Sequence, residues 1–332
     1  MMTLLRALLS PRLLSAILVP GAITALVMAM LVIYLERKVT ARVQRRIGPH
    51  YVSPRLAGLL QPIADGIRFF FQEPIIPATV DKVAFIAAPA LTTAVLLVAF
   101  SVIPGGPHAI PVESSISLLI VLAALAISPI PVIVMGWASD NRFSLLGALR
   151  EALLNASYEP VLLLAALAGA SIYGTLDLAT IVEKEAKMGI PGLILNPIAA
   201  AVFFIASLAA TDRIPFDLVL GEQEIVAGPY SEYSGVLFAV VMALDYLKLY
   251  ILGLVFAILF LGGWLPATTW PLSAIVLVAK ALLFMIAAVF FRAVYGRARL
   301  DRALETLWTF YFPAALVALA WSQIVSYFIS PA

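Results

Sequence analysis

Val236–Leu261 reads VLFAVVMALDYLKLYILGLVFAILFL, a run in which only Asp245 and Lys248 are charged. It is longer than the roughly 20 residues a helix needs to cross the hydrocarbon core of a bilayer. The run lacks the alternation of a barrel strand, so a membrane-spanning helix is the element it predicts. Asp245 and Lys248 stand three apart and share a helical face. A charge at mid-bilayer costs at least ~2.5 kcal/mol, so this face must meet a partner or water. Two readings are open: a buried ion pair that fixes helix register, or part of an ion relay.

The rest of the chain follows the same pattern. Seven more apolar runs are long enough to span, at 13–35, 83–103, 114–138, 152–174, 190–211, 271–291 and 306–329. The 332 residues are 63% apolar and only 12% charged, with a mean hydropathy of +1.05. Soluble domains carry about 25% charged residues, so this surface is built for lipid. The expectation is an all-α, polytopic membrane helix bundle of about eight spans, one integral membrane domain over 1–332. There is no cysteine, which excludes disulfides and thiolate-held clusters. His50 and His108 are too far apart in sequence to suggest a metal or haem site. A net charge of +2 gives no support for a nucleic-acid partner. Arg6 and Arg12 precede an apolar run too long for a signal peptide, so that run reads as a retained first helix.

Fifteen Lys and Arg residues fall in the loops on one side of an eight-span arrangement. Arg6, Arg12, Lys184 and Lys187 fall on the other. The positive-inside rule then places the crowded side in the cytoplasm and both termini outside it, in a multi-pass cell-membrane protein. Residues 55–73 set Leu56, Leu59, Leu60, Ile63, Ile67, Phe70 and Phe71 against Gln61, Asp65, Arg68 and Gln72, which reads as an amphipathic interfacial helix. Pro20, Pro129, Pro131, Pro160, Pro197 and Pro313 interrupt the spans.

Besides Asp245 and Lys248, Glu159 and Lys280 lie within predicted spans. Glu159 followed by Pro160 is the candidate titrating carboxylate. The cytoplasmic loop 212–235 concentrates Asp212, Asp217, Glu222, Glu224 and Glu232 against Arg213 alone. Its apolar Phe216, Leu218, Val219, Leu220, Ile225 and Val226 point to a structured loop.

Several ordered motifs resemble a known family. Glu36-Arg37-Lys38, Gln44-Arg45-Arg46-Ile47-Gly48-Pro49 and Leu59-Leu60-Gln61-Pro62-Ile63-Ala64-Asp65-Gly66 resemble the first cytoplasmic loop of the NuoH-type membrane subunits of respiratory complex I. Arg150 with Ser157-Tyr158-Glu159 resembles the family's next helix entry. Arg213-Ile214-Pro215-Phe216-Asp217-Leu218, Glu222-Gln223-Glu224-Ile225-Val226-Ala227-Gly228 and Glu232-Tyr233-Ser234-Gly235 resemble its acidic loop. Leu261-Gly262-Gly263-Trp264 and Arg297-Ala298-Arg299-Leu300-Asp301 match later motifs.

The resemblance implies a subunit, not catalytic by itself, that joins a redox arm to a membrane arm and couples electron transfer to proton or sodium movement. Glu159, Asp217, Glu222, Glu224 and Asp245 fall on the family's acidic positions and, with Lys248 and Lys280, are the ion-pathway candidates. Arg37, Arg45, Arg46, Asp65, Arg213, Glu232 and Tyr233 are the loop and subunit-interface candidates. The implied partners are peripheral subunits carrying iron–sulfur clusters, antiporter-like and small membrane subunits, and lipid. The chain itself is expected to bind no cofactor, with the clusters, a nickel–iron centre or quinone in or near those partners.

Related assemblies include membrane-bound hydrogenases and sulfane reductases. Ala210 and Leu220 stand where quinone-reducing members carry glutamates. Asp212 replaces an asparagine and Gly296 a proline. The wording of 222–235 is closer to the hydrogenase side. The alternatives are a quinone-chamber subunit of an NADH or F420H2:quinone oxidoreductase, and a stand-alone secondary ion transporter.

Overall fold

The computed structural model describes residues 10–107 and 109–329, and within them the side chains of Glu222, Gln223 and Ile329 are not described. Arg6 and His108 lie outside the described residues. Among those described there are helices and turns and no strand.

Helix α1 (Pro11–Ile17) and α2 (Ala22–Val43) are separated by a break at Pro20, whose ring cannot donate to the helical ladder. The Pro20 carbonyl instead accepts the Tyr250 hydroxyl at 2.8 Å, so the break is satisfied internally, as lipid requires. The amphipathic segment is a short 3₁₀ turn followed by α3 (Gln61–Phe71). Ile63, Ile67, Phe70 and Phe71 face outward on it. Then come α4 (Lys82–Ala99), α5 (Ser117–Ile127) and α6 (Pro129–Ala138). The last two form one span kinked at Ser128, whose hydroxyl donates to the Leu125 carbonyl that Pro129 cannot serve. The longest element, α7 (Arg142–Ser171), carries Pro160 inside it. After α8 (Leu178–Met188) and a single turn at Gly192–Leu195 come α9 (Pro197–Ala210), α10 (Gly235–Phe260) and α11 (Leu272–Val294). The described chain closes with α12 (Leu300–Thr306), a π turn at Leu307–Tyr311, and α13 (Phe312–Ile329).

Seven of these stretches are long and apolar enough to cross a membrane. They coincide with seven of the eight expected runs. The run 190–211 differs: Asn196 splits it, leaving the 14 residues of α9, about 21 Å at 1.5 Å per residue. Buried Asn196 accepts the Ala199 N–H at 2.9 Å and donates to Ala318 O at 2.9 Å and Ser322 Oγ at 2.7 Å, so it starts a helix inside the bundle. The run expected at 152–174 begins ten residues earlier, because the charged stretch from Arg142 continues the helix.

Helix α10 is the hub, with 78% of its apolar window buried, against 28% for the first span and 22% for the last. It packs on α11, α2 and α4, while α7 packs on α6, α9 and α13. The hub sets Asp245 and Lys248 in the interior, where α7 and the 212–235 loop converge.

Candidate functional site

Three other segments converge on Glu36, near the end of α2. It is 5% exposed, and its carboxylate is ion-paired to Arg213, itself 4% exposed. Arg292 of α11 donates to Glu36 Oε2 at 2.6 Å, and the Tyr246 hydroxyl of α10 donates to the same oxygen at 2.7 Å. The Arg213 guanidinium lies 5.0 Å from the centroid of the Tyr246 ring, a cation–π distance. Burial pushes the Arg213 guanidinium down to about 10, which still leaves it cationic at neutral pH. Glu36, Arg37, Thr40, Arg46, Gly48 and Arg292 line a cavity of about 640 Å³ beside this node.

Deeper in the bundle lies a second cluster: Glu151 (1% exposed), Asp212 (9%), Asp245 (8%) and Lys248 (3%). The Lys248 ammonium attracts Glu151, Glu159, Asp212 and Asp245. It is the shared cation of four carboxyls rather than the private partner of Asp245, and no ion pair within 4.0 Å joins those two. Asp217 and Arg213 act on Asp245 from the loop side, linking this cluster to the Glu36 node. Tyr158 is buried in the field of Glu151, Asp212, Glu159 and Asp245. Burial, then Glu151 and Asp245, push the Asp212 carboxyl well above its usual range, and Lys248 only partly opposes them. Both carboxylate oxygens of Glu159, Oε2 of Glu151 and Oδ1 of Asp212 are buried without a hydrogen-bond partner. Each such atom costs ~1–3 kcal/mol, and more for a charged group, unless a proton or water relieves it.

The 212–235 loop is packed against the bundle. Glycine is required at 147 because a Cβ there would stand 2.6 Å from Pro229 Cδ and 2.7 Å from Gly228 Cα. Ser144 and Ser231 are hydroxyl-bonded at 2.7 Å. Glu232 accepts from Asn141 Nδ2 at 2.6 Å. Tyr233 stacks on Phe85 at 4.0 Å and donates to its carbonyl at 2.9 Å. Glu232 and Tyr233 are thus struts of the loop. Glu224 is 53% exposed, paired to Arg150 at 2.6 Å and Arg297 at 3.5 Å. The Arg150 bond holds its carboxyl below the usual range. The Glu222 side chain lies outside the described set.

The structure brings Glu159, Asp217, Asp245, Lys248 and Arg213 together. It sets Lys280 apart, more than two turns into α11, where its ammonium donates to the Leu261 and Leu265 carbonyls. Arg37 pairs with Asp65 at 2.5 Å, pinning α3 to α2, while Arg45 and Arg46 are exposed. Sequence reasoning left out Glu36 as a site, along with Glu151, Tyr246 and Arg292. For Glu151 a signal existed: Ser144, Gly147, Ala148, Glu151 and Leu154 recur at helical spacing and are all buried.

A helix bundle with at least seven membrane-length helices and a buried file of carboxyls around one lysine defines a class: a polytopic membrane subunit with a charged interior. A sequence model of the NADH dehydrogenase family matches residues 16–323. The chain belongs to that family, the NuoH-type membrane subunits of complex I-type assemblies.

Proposed function

We propose that this chain couples electron transfer in a peripheral redox arm to proton or sodium translocation, as the membrane subunit that joins the two arms of a complex I-like oxidoreductase. The single observation carrying this reading is the continuity of buried charge from Glu159 through Lys248, Glu151, Asp212 and Asp245 to Arg213 and Glu36. In a low-dielectric interior a proton or charge arriving at one carboxyl changes the protonation of the next. Lys248, attracted by four acids at once, would favour whichever of them is ionised. With the short α9 counted as the eighth crossing, the basic loops and the 212–235 loop face the cytoplasm and both termini lie on the other side. The exposed Arg45 and Arg46 and the Glu224–Arg150–Arg297 cluster form the ledge that peripheral cluster-bearing subunits meet. The redox chemistry belongs to those partners, and this chain is not catalytic by itself.

The test is Glu159→Gln in the assembled complex. The expected result is normal assembly and electron transfer with redox-driven ion movement in vesicles reduced at least tenfold. Unchanged ion movement would refute the reading.

One observation favours a quinone-type acceptor as a second reading. An apolar cavity of about 360 Å³ lies between α2, α3 and α10, lined by Leu26, Met30, Phe69, Phe238 and Met242 with Arg37 and Asp65 at one edge. That is within the size range of small-molecule pockets and suits an isoprenoid chain. Ala210 and Leu220 stand where quinone-reducing members carry glutamates, which weighs toward the hydrogenase side. Photolabelling with an isoprenoid quinone analogue at Met30 or Phe69 would decide for the quinone.

A further inference from the structure

Leu261-Gly262-Gly263-Trp264 ends α10 with both glycines at positive φ, 77° and 50°, a backbone that residues with a Cβ rarely adopt. The turn aims the Leu261 and Leu265 carbonyls at Lys280 Nζ, at 2.5 and 2.7 Å. Facing the same turn is Glu185 of α8, 2% exposed. Its Oε1 accepts the Gly192 N–H at 2.8 Å, and its Oε2 is buried without a partner. A Cβ on Gly262 would stand 3.7 Å from both Glu185 Oε1 and Lys280 Nζ. The two charges therefore face each other across the glycine at more than the 4.0 Å of an ion pair. The buried Tyr173 hydroxyl, also without a partner, would lie 3.0 Å from a Cβ on Gly192. At the rim, Lys184 is held on the Tyr173 carbonyl at 2.6 Å.

A static cap of the 189–192 turn would use one carboxylate oxygen. It would not require an ammonium and a phenol brought to it from two other segments, or leave the second carboxylate oxygen buried without a partner. The cluster also lies past the end of α7 remote from the 212–235 loop. Glu159 stands 12 residues before that end at Ser171, about 18 Å along the helix, so the cluster is separate from the carboxyl file described above.

We propose that Glu185, Lys280 and Tyr173 form a second proton-exchange site, at the far end of the molecule, in which Glu185 takes up and releases the proton. Its part in ion movement rests on the coupling role proposed above, while its titration does not. Burial pushes the Glu185 carboxyl up to about 7, against the opposing Gly192 N–H, the Lys280 charge and the Gly262 N–H, so it changes charge near neutral pH.

The experiment is infrared difference spectroscopy of the purified complex across pH 5–9, alongside ion uptake by vesicles holding the same complex. Glu185→Gln keeps the Gly192 bond through its amide oxygen and removes only the titration. The expected spectrum has a carboxyl band with a midpoint near 7. The band is absent in Glu185→Gln and moves up by about one pH unit or more in Lys280→Met, where the neighbouring cation is gone. Ion uptake in Glu185→Gln is expected to fall at least fivefold with electron transfer retained. A spectrum in which no near-neutral band is lost in Glu185→Gln overturns the site. Wild-type uptake by Glu185→Gln, where Glu159→Gln abolishes it, overturns the exchange role and leaves the coupling reading standing. Wild-type uptake by both variants overturns both.

Discussion

The Glu36–Arg213 pair offers the sharpest test of how this bundle tolerates charge. Glu36→Gln keeps the shape and still accepts the Tyr246 hydroxyl, now bonded at 2.7 Å, but strips the charge facing Arg213. Arg213 is 4% exposed and stays cationic, so the variant leaves an uncompensated buried guanidinium. Removing one partner of such a pair costs about 3–5 kcal/mol. Arg292 touches the same carboxylate but is 40% exposed, so Arg292→Gln should cost no more than ~1 kcal/mol. The double variant Glu36→Gln/Arg213→Gln removes both charges and should recover about 2–3 kcal/mol of the summed single costs, the upper end of coupling between contacting residues. Reversible unfolding by sodium dodecyl sulfate in mixed micelles, followed by circular dichroism, reads all four members of the cycle. Single costs that add within about 0.5 kcal/mol would show that the pair does not couple and would refute the reasoning. So would a cost for Arg292→Gln as large as that for Arg213→Gln.

Gly147→Ala drives a methyl into Pro229 and Gly228 and should cost about 1–3 kcal/mol in the same assay, while Gly66→Ala, with nothing within 4 Å, should be neutral or gain about 0.5–1 kcal/mol. Arg46→Ala should weaken attachment of the peripheral arm, seen on native gels as loss of the intact complex at moderate salt; a fully assembled band would contradict the docking ledge. Glu185 makes stability fall as pH rises: the native state holds its proton up to about 7, whereas the unfolded chain releases it near 4.5. The penalty therefore grows between those values, to about 3 kcal/mol above 7, and Glu185→Gln should flatten that slope in unfolding measured from pH 4 to 8.

The bundle was legible because lipid imposes one strong rule on every span, and seven runs obeyed it in their own local composition. Two departures arose where polar residues belong to a helix interior. Asn196 was averaged into an apolar run, although Pro197 beside it marks a helix start and its partners, Ala318 and Ser322, lie more than 120 residues on. The first ten residues of α7 were excluded because Arg142, Arg150 and Glu151 lowered the local hydropathy, and with them went the most buried acid of the cluster.

The site divided in the same way. Asp245 and Lys248 announced themselves by contrast with their apolar neighbours. Glu36 had no such contrast, since Arg37 and Lys38 follow it and the trio reads as a solvated helix end. Its burial is decided by Tyr246 and Arg292, 210 and 256 residues away. Lys280 shows another limit: its apolar run announces a charge within a span, but not the glycine turn after α10 that folds over it and supplies two carbonyls. Contrast with chain neighbours detects a charge only where those neighbours are also its surroundings. Where a charge is neutralised by loops returning from elsewhere, the sequence shows the components separately: an acid at a helix end, a lone arginine in an acidic loop, and a glycine pair after a helix. Gly262 is the instructive case: its positive φ is that of the usual glycine turn after a helix end, and nothing near it in sequence names the acid and the ammonium that the turn meets.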